Sequence, residues 1–452
     1  MSTAKRARFF LGCGGIFALF ALIAANSHQA QPSVAVLVIA SVLAMLGLLS
    51  IRMHLTARTM MLGSVLMCLI GLGGRPLFED DHYRYLWDGY RSFSAGSPFG
   101  AAPEQFFEDQ KVPPSMQRVL DGINYPEVAT LYGPGLQFLF ASTYLIAPGN
   151  ERMLRAVLGL AQLGLVGLLL RYQSAPAVAL YAWNPLVFKE IALSGHPDAL
   201  VPLLLLAGWG FRTGPWRSVF AGLAAATKIV ALAAWPLLLS DRATWSRMRG
   251  PRLRDSRIAR LLLAGTVASL TLLLSYLPFS GGATDLVGLN VFARDWTFNS
   301  ALHTPLAAWL GDAQARVVAA VLATLIIVGL SWHAHSDQHA AYPLPPLHTV
   351  FGVLLLFSPV INPWYVLWLL PFAVGRGLCW PWVASAAVLL AYITPLNLGN
   401  EAGAAFAVPG WARALEWSVI AIAVAIDGYR TKADQTRMNA DARHCGPDGH
   451  QR

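Results

Sequence analysis

The sequence predicts an all-α polytopic membrane protein: a bundle of about 11 to 14 transmembrane helices with a large first external loop bearing short interfacial helices. Three observations lead there. Hydrophobic residues make up 56% of the 452 and charged residues only 13%, too apolar a balance for a soluble globular chain. Apolar runs of spanning length recur from one end of the chain to the other. The longest polar stretch, residues 75–133, is rich in Trp, Tyr and Phe, so it is expected to fold rather than stay disordered.

A span takes about 20 mostly apolar residues. Candidates lie at 9–26, 33–51, 59–75, 134–148, 154–170, 177–193, 198–211, 218–239, 261–279, 305–330, 347–360, 363–374, 380–395 and 411–427. The first follows Lys5, Arg6 and Arg8. Because 24-AANSHQA-30 is a poor cleavage site, it reads as a signal anchor. Two segments are interrupted. The stretch 183-WNPLVFKEIALSGHPDALVP-202 carries Pro185, Gly195 and Pro197, and 218-SVFAGLAAATKIVALAAWPLLLS-240 lies between two basic flanks. A re-entrant pair turning near Thr227 and Lys228 satisfies both flanks of the second, and irregular backbone at that depth needs burial in protein. The sequence leaves both crossings open.

Basic connectors stay in the cytoplasm. The N-terminus is basic, Arg52 and Arg58 follow, and residues 241–260 hold seven arginines against two aspartates. The tail, 429–452, is basic and expected to be cytosolic and disordered. The third span therefore exits near residue 75, and 75–133 is external, with nine Asp and Glu against five Lys and Arg. Cys13, Cys68 and Cys379 lie in or beside spans and Cys445 in the tail, so no disulfide framework is expected. The histidines of 333-HAHSDQH-339 read as a solvated connector. Neither a Walker loop nor a dinucleotide fingerprint is present, so no nucleotide domain is indicated, and no metal, cofactor or nucleic-acid partner is expected.

The densest acidic cluster, in 76-PLFEDDHYRYLWDGYRSF-93, stands directly behind the apolar run 59-TMMLGSVLMCLIGLGG-74. As a surface helix, it places Asp80, Arg84, Trp87 and Arg91 on one face and Asp81, Tyr85 and Asp88 on the next. A carboxylate at the bilayer edge suits a general base. A helix start favoured by the macrodipole explains the cluster equally well. Spacing makes Asp80 a partner of Arg84, which lowers its pKa, and sets Asp81 near Asp88, which raises it. Other polar residues recur in or beside spans: Asn184, Lys189, Glu190, His196, Asp198, Lys228, Arg294, Asp295, Asn299, His303, Asn362, Trp364 and Tyr365. Singly, each is explained by pairing, snorkelling or an aromatic belt. Together they cluster at external ends and point to an outward-facing site.

The blocks 79-EDDHYRYLWDG-89, 123-INYPEVATLYGPGLQ-137, 183-WNPLVFKE-190 with 194-SGHPDAL-200, 226-ATKIVALAAWPLLL-239, 290-NVFARDWTFNS-300 and 357-FSPVINPWYVLWLLPF-372 cover about 300 residues in order. In these blocks the chain resembles the bacterial GT-C glycosyltransferases, multi-spanning mannosyltransferases that use polyprenyl-phosphate sugars. The resemblance implies a catalytic carboxylate in the first large external loop, where Asp80 and Asp81 occupy the acidic pair, and alignment with distant members favours Asp80. It implies donor-phosphate contacts drawn from Arg294, His196, Lys228 and His303, of which Arg suits bidentate contact best. It implies a substrate site drawn from Arg84, Trp87, Asp88, Asn124, Tyr132, Asn299, Asn362, Trp364 and Tyr365.

The implied reaction moves a hexose, by default mannose, from a polyprenyl-phosphate donor to an extracytoplasmic glycan or lipid, in the plasma (inner) membrane among its lipids. The chain departs from the pattern in having 132-YGP-134 where many relatives have Tyr-Pro-Pro, and in two extra spans before the acidic loop. A transporter or lipid flippase is the alternative of another class. It is expected to show repeated halves with paired broken helices, and no convincing repeat is visible. A transferase using diphosphate-linked glycans is a third reading, expected to carry a metal site or a larger external domain.

Overall fold

A computed structural model describes residues 3–211, 215–239, 257–279, 286–333, 343–400 and 404–444. The regular elements among the described residues are all helices, with no strand. One isolated parallel bridge pairs Phe298 with Val360. The basic stretch 241–256 and the histidine-rich 334–339 lie outside the described residues.

Three apolar helices open the chain: α1 (Thr3–Asn26), α2 (Val34–Ile51) and α3 (Ala57–Gly73). Ser33 and Thr56 start the second and third, each accepting a backbone N–H three residues on. α1 and α2 pack along each other. Their outer faces leave Leu11, Leu46 and, on α3, Leu62 exposed. Apolar exposure on this scale marks a surface that meets lipid rather than water.

Among the described residues, five helices are long and apolar enough to cross a membrane: Lys5–Asn26, Val34–His54, Glu151–Leu169, Ile258–Phe279 and Asp312–His333. These are fewer continuous spans than the sequence predicts. Other apolar stretches form shorter helices: Ala57–Gly73 is continuous over 17 residues, while Ile229–Leu239, Leu347–Phe357 and Trp380–Tyr392 are shorter still. The tail also differs from the expected disordered segment, since the helix Gly410–His444 runs through its first part.

The two interrupted segments take definite shapes. Pro185–Leu193 and Pro197–Trp209 form a pair bent by 110°. The turn Phe188–Leu193 is a π-helix, in which Ser194 N–H reaches Lys189 C=O at 2.9 Å, and Gly195 follows at φ +80°. The carbonyls freed at this break need donors. Arg155, on α7 (Glu151–Leu169, which follows α4, Asp81–Ser94, α5, Pro114–Asp121, and α6, Pro134–Ile146), supplies them. Its guanidinium donates to Leu193 C=O, and to Gly71 and Gly74 C=O at the end of α3. The second segment ends its first helix, Trp216–Thr227, at an extended Lys228 and then doubles back, so that Trp235 Nε1 donates to Ala221 C=O at 3.2 Å.

Residues 75–133 form the short helices α4 and α5, with a 3-10 turn at Pro103–Phe106. α4 lies against α6 at Gly89, where a Cβ would come within 2.4 Å of Phe140 O. That close approach seats the acidic start of α4 over the broken segments.

Candidate active site

A cavity of about 1100 Å³ opens above the start of α4. Its walls come from the 75–133 loop, the break at Thr227–Val230, residues 286–298, 354–365 and 391–406. The walls differ in chemistry. Asp80, Asp81 and Lys228 are among its charged lining residues. Ile229, Val230, Leu286 and Leu289 make one flank aliphatic, and Ile229 and Leu286 are about half exposed. Asn124, Tyr125, Glu127 and Trp296 form another flank.

Backbone geometry prepares the acidic centre. Phe78 sits at φ +63° directly before Glu79, and Tyr125, also in the wall, at φ +53°. Non-glycine residues hold such angles only where surrounding contacts enforce them. Asp80 stands at the N-cap of α4, but its side chain caps no helix N–H. Its carboxylate is therefore not used to start the helix.

The two aspartates differ in environment, and the difference reverses the order expected from spacing. Burial, then the neighbouring Asp81 charge, push Asp80 up to about 6, against its own backbone amide, Arg84 and His196. Burial also pushes Asp81 up, but His196, then Lys228 and the Tyr85 hydroxyl, outweigh it and hold the group below the usual carboxylate range. Arg84 fails to claim Asp80 because it donates to Val128 C=O at 2.8 Å and Tyr125 C=O at 2.9 Å. Asp88 does not face Asp81. It is buried, accepts from Gln137 Nε2 at 3.0 Å and from the Thr130 hydroxyl, and is raised by burial to about 6.

His196 connects Asp81 to the bent segment. Its Nε2 lies 3.7 Å from Asp81 Oδ2 and its Nδ1 3.0 Å from Glu190 Oε2. The ring stacks on Trp364 at 3.9 Å. Tyr85 and Tyr132 donate to Asp81 Oδ2 from the other side, at 3.2 and 3.4 Å. Behind His196, Glu190 accepts from Lys189 Nζ at 3.2 Å and from Tyr392 Oη at 2.9 Å. Glu79, half-buried beside this group, is raised by burial to about 8 despite Lys189 and His196.

Lys228 reaches the cavity from the second break. Its Nζ lies 2.8 Å from Asp198 Oδ1 and 2.9 Å from Oδ2, and Asp198 also accepts from Trp368 Nε1 at 2.7 Å. The Tyr365 ring lies 5.5 Å away. Gly133 makes room for this strand of chain: a Cβ there would sit 2.2 Å from Ala226 O.

Of the residues singled out in the sequence, Asp80, Asp81, Arg84, Asn124, Tyr132, Lys228, Asn362, Trp364 and Tyr365 line the cavity. His196 stands just behind its wall. The others lie elsewhere. Arg294 is exposed at the end of the helix Val287–Asp295 and does not line the cavity, although Asp295 does. His303 Nε2 faces Asp312 Oδ1 at 3.3 Å. Asn299, at φ +47°, donates to both carboxylate oxygens of Glu416. Trp87 is buried against Tyr90 and Phe106. Their helical or sequence proximity to true lining residues does not survive the direction of the side chains.

Several neighbours were visible only as polar residues in greasy segments: Lys189, Glu190 and Asp198. Tyr392 and Trp368 carried no signal, since an aromatic residue in an apolar run reads as packing. No protein family, curated protein or solved structure matches the chain.

Proposed function

We propose that the protein is a membrane-embedded glycosyltransferase of the GT-C type, moving a hexose from a polyprenyl-phosphate donor to an external acceptor. The observation that carries this reading is Asp80: a carboxylate that caps no helix N–H and is raised by burial to about 6, in a large cavity that Lys228 and an aliphatic flank also line. A lipid-linked donor needs that combination. Its isoprenoid chain enters along Ile229, Val230, Leu286 and Leu289 while the phosphate stays at Lys228.

In the reaction, Asp80 takes the proton of the acceptor hydroxyl. The acceptor oxygen bonds to the anomeric carbon, and the bond from that carbon to the phosphate oxygen breaks through an oxocarbenium-like state. The electron pair leaves with the polyprenyl phosphate. Lys228 offsets the growing charge there, and Asp81, kept anionic by His196, faces the positive sugar. Mannose is the first sugar to test, on the resemblance of the motif blocks. The positive-inside pattern of the sequence supports a cavity on the external side of the plasma membrane.

The bent pair Pro185–Leu193 and Pro197–Trp209, with Lys189, Glu190 and Asp198 buried around it, favours a carrier as the second reading. One assay separates the two. Purified protein in liposomes is given synthetic polyprenyl-phosphate mannose or glucose with a methyl hexopyranoside. Release of polyprenyl phosphate with a new glycoside supports the transferase. Movement of intact donor between leaflets, with no release, supports the carrier.

A further inference from the structure

Tyr125 and Trp296 come from loops far apart in sequence and meet at the cavity wall, ring centroids 4.7 Å apart. Phe406 adds a third ring, 6.1 Å from Tyr125. Each of the two main rings is fixed through its backbone by an arginine from another element. Arg84 holds Tyr125 C=O and Val128 C=O. Arg316 holds Ala293 C=O at 2.9 Å and Trp296 C=O at 3.1 Å. Tyr125 keeps its φ of +53° under this clamp. Asn124 and Glu127 stand beside the rings in the same wall.

We infer that this wall is the acceptor subsite and that it takes a saccharide: a pyranose lies on the Tyr125–Trp296 surface with its hydroxyls at Asn124 and Glu127. The inference rests on the transferase reading and names the acceptor class for the same cavity. A pyranose has an apolar C–H face and a polar rim. Aromatic faces fit the first, and an amide and a carboxylate fit the second. A lipid alcohol has no use for such polar partners, and the aliphatic lining of the same cavity already suits the donor chain. The subsite also lies within reach of the base. After burial, the Asp80 and Glu127 charges are what raise the Tyr125 hydroxyl. Arg84 and Arg316 act as positioning residues, since preorganised rings bind at a lower entropic cost.

Saturation-transfer difference NMR with methyl α-mannopyranoside and methyl α-glucopyranoside on the purified full chain tests the binding directly. The wild type should transfer saturation to the C–H protons of one ring face. Trp296→Leu should abolish the signal, and Trp296→Phe should keep it, which controls for folding. In the liposome assay, Trp296→Leu should raise the KM for the pyranoside about 10-fold, as loss of an aromatic anchor does, with the donor KM unchanged. Arg84→Gln should raise the acceptor KM in the same direction. No saturation transfer in the wild type, equal signals in Trp296→Leu, or preference for long-chain alcohols over pyranosides overturns the subsite. Pyranoside binding without any transfer leaves the subsite standing and sinks the transferase reading. Transfer that is indifferent to Trp296→Leu does the opposite.

Discussion

Asp81 Oδ2 lies 3.7 Å from His196 Nε2, while Asp80, one residue earlier, makes no ion pair among the described residues. Two adjacent carboxylates that line one cavity thus differ in surroundings, because His196 of the bent segment stands at Asp81 and not at Asp80. On the proposed reaction, that difference makes Asp80 the group that titrates and Asp81 the fixed anion.

Asp80→Asn should therefore lower transfer by about 10²–10⁴-fold, the usual loss on removing a positioned general base. Donor binding should persist. Asp81→Asn should be milder in turnover. The reverse ranking, measured as kcat with a saturating donor, would hand the role of base to Asp81.

The pH dependence follows from the same pair. A base works ionised, and Asp80 is raised to about 6. Transfer should be full above that value and fall as pH drops through it, rather than near the ordinary carboxylate range. Asp81→Asn removes the like charge and should move the acid limb to lower pH. An acid limb that stays in place in this variant would mean that Asp81 does not act on the titrating group.

Lys228 and Arg294 make opposite predictions. Lys228 lines the cavity at 2.8 Å from Asp198, and Arg294 is exposed outside it. Lys228→Met should cost about 10²–10³-fold in turnover, as loss of a group that stabilises developing charge does. Arg294→Ala should stay near wild type. Donor kinetics on both variants check the assignment, and a strong effect of Arg294→Ala would restore it to the phosphate.

Asn299 belongs to the scaffold. Both oxygens of the buried Glu416 accept from its Nδ2, at 3.1 and 3.0 Å. Asn299→Leu leaves that carboxyl without its partner and should cost about 1–3 kcal/mol of stability. Thermal unfolding in detergent reads the loss, while the KM for donor should not change.

Orientation is open to a direct check. A cysteine at Ser115, exposed in α5, should react with a membrane-impermeant maleimide in intact cells, and one at His54, exposed between α2 and α3, should not. Labelling of the second alone would invert the topology and place the cavity in the cytoplasm.

Composition and hydropathy were enough to call for helices that cross a membrane, because each crossing must satisfy its own backbone and bury its polar atoms within one segment. The same local logic made the 75–133 loop structured, placed Asp80 and Asp81 at its start, and flagged Pro185, Gly195 and Pro197 as a break. These are properties of short stretches, so short stretches reveal them.

Direction and partnership were decided by the tertiary structure. Helical spacing paired Asp80 with Arg84 and Asp81 with Asp88, yet Arg84 turns to the 125–128 carbonyls and Asp88 to Gln137. His196 reaches Asp81 from a different segment, and its charge outweighs every neighbour within α4. Arg294 sits beside the lining Asp295 in sequence yet does not line the cavity, and His303 faces Asp312 instead. A carboxylate's pKa, and whether a side chain enters a cavity, depend on groups within a few ångströms from any part of the chain. One sequence orders residues along a line and is silent on those distances.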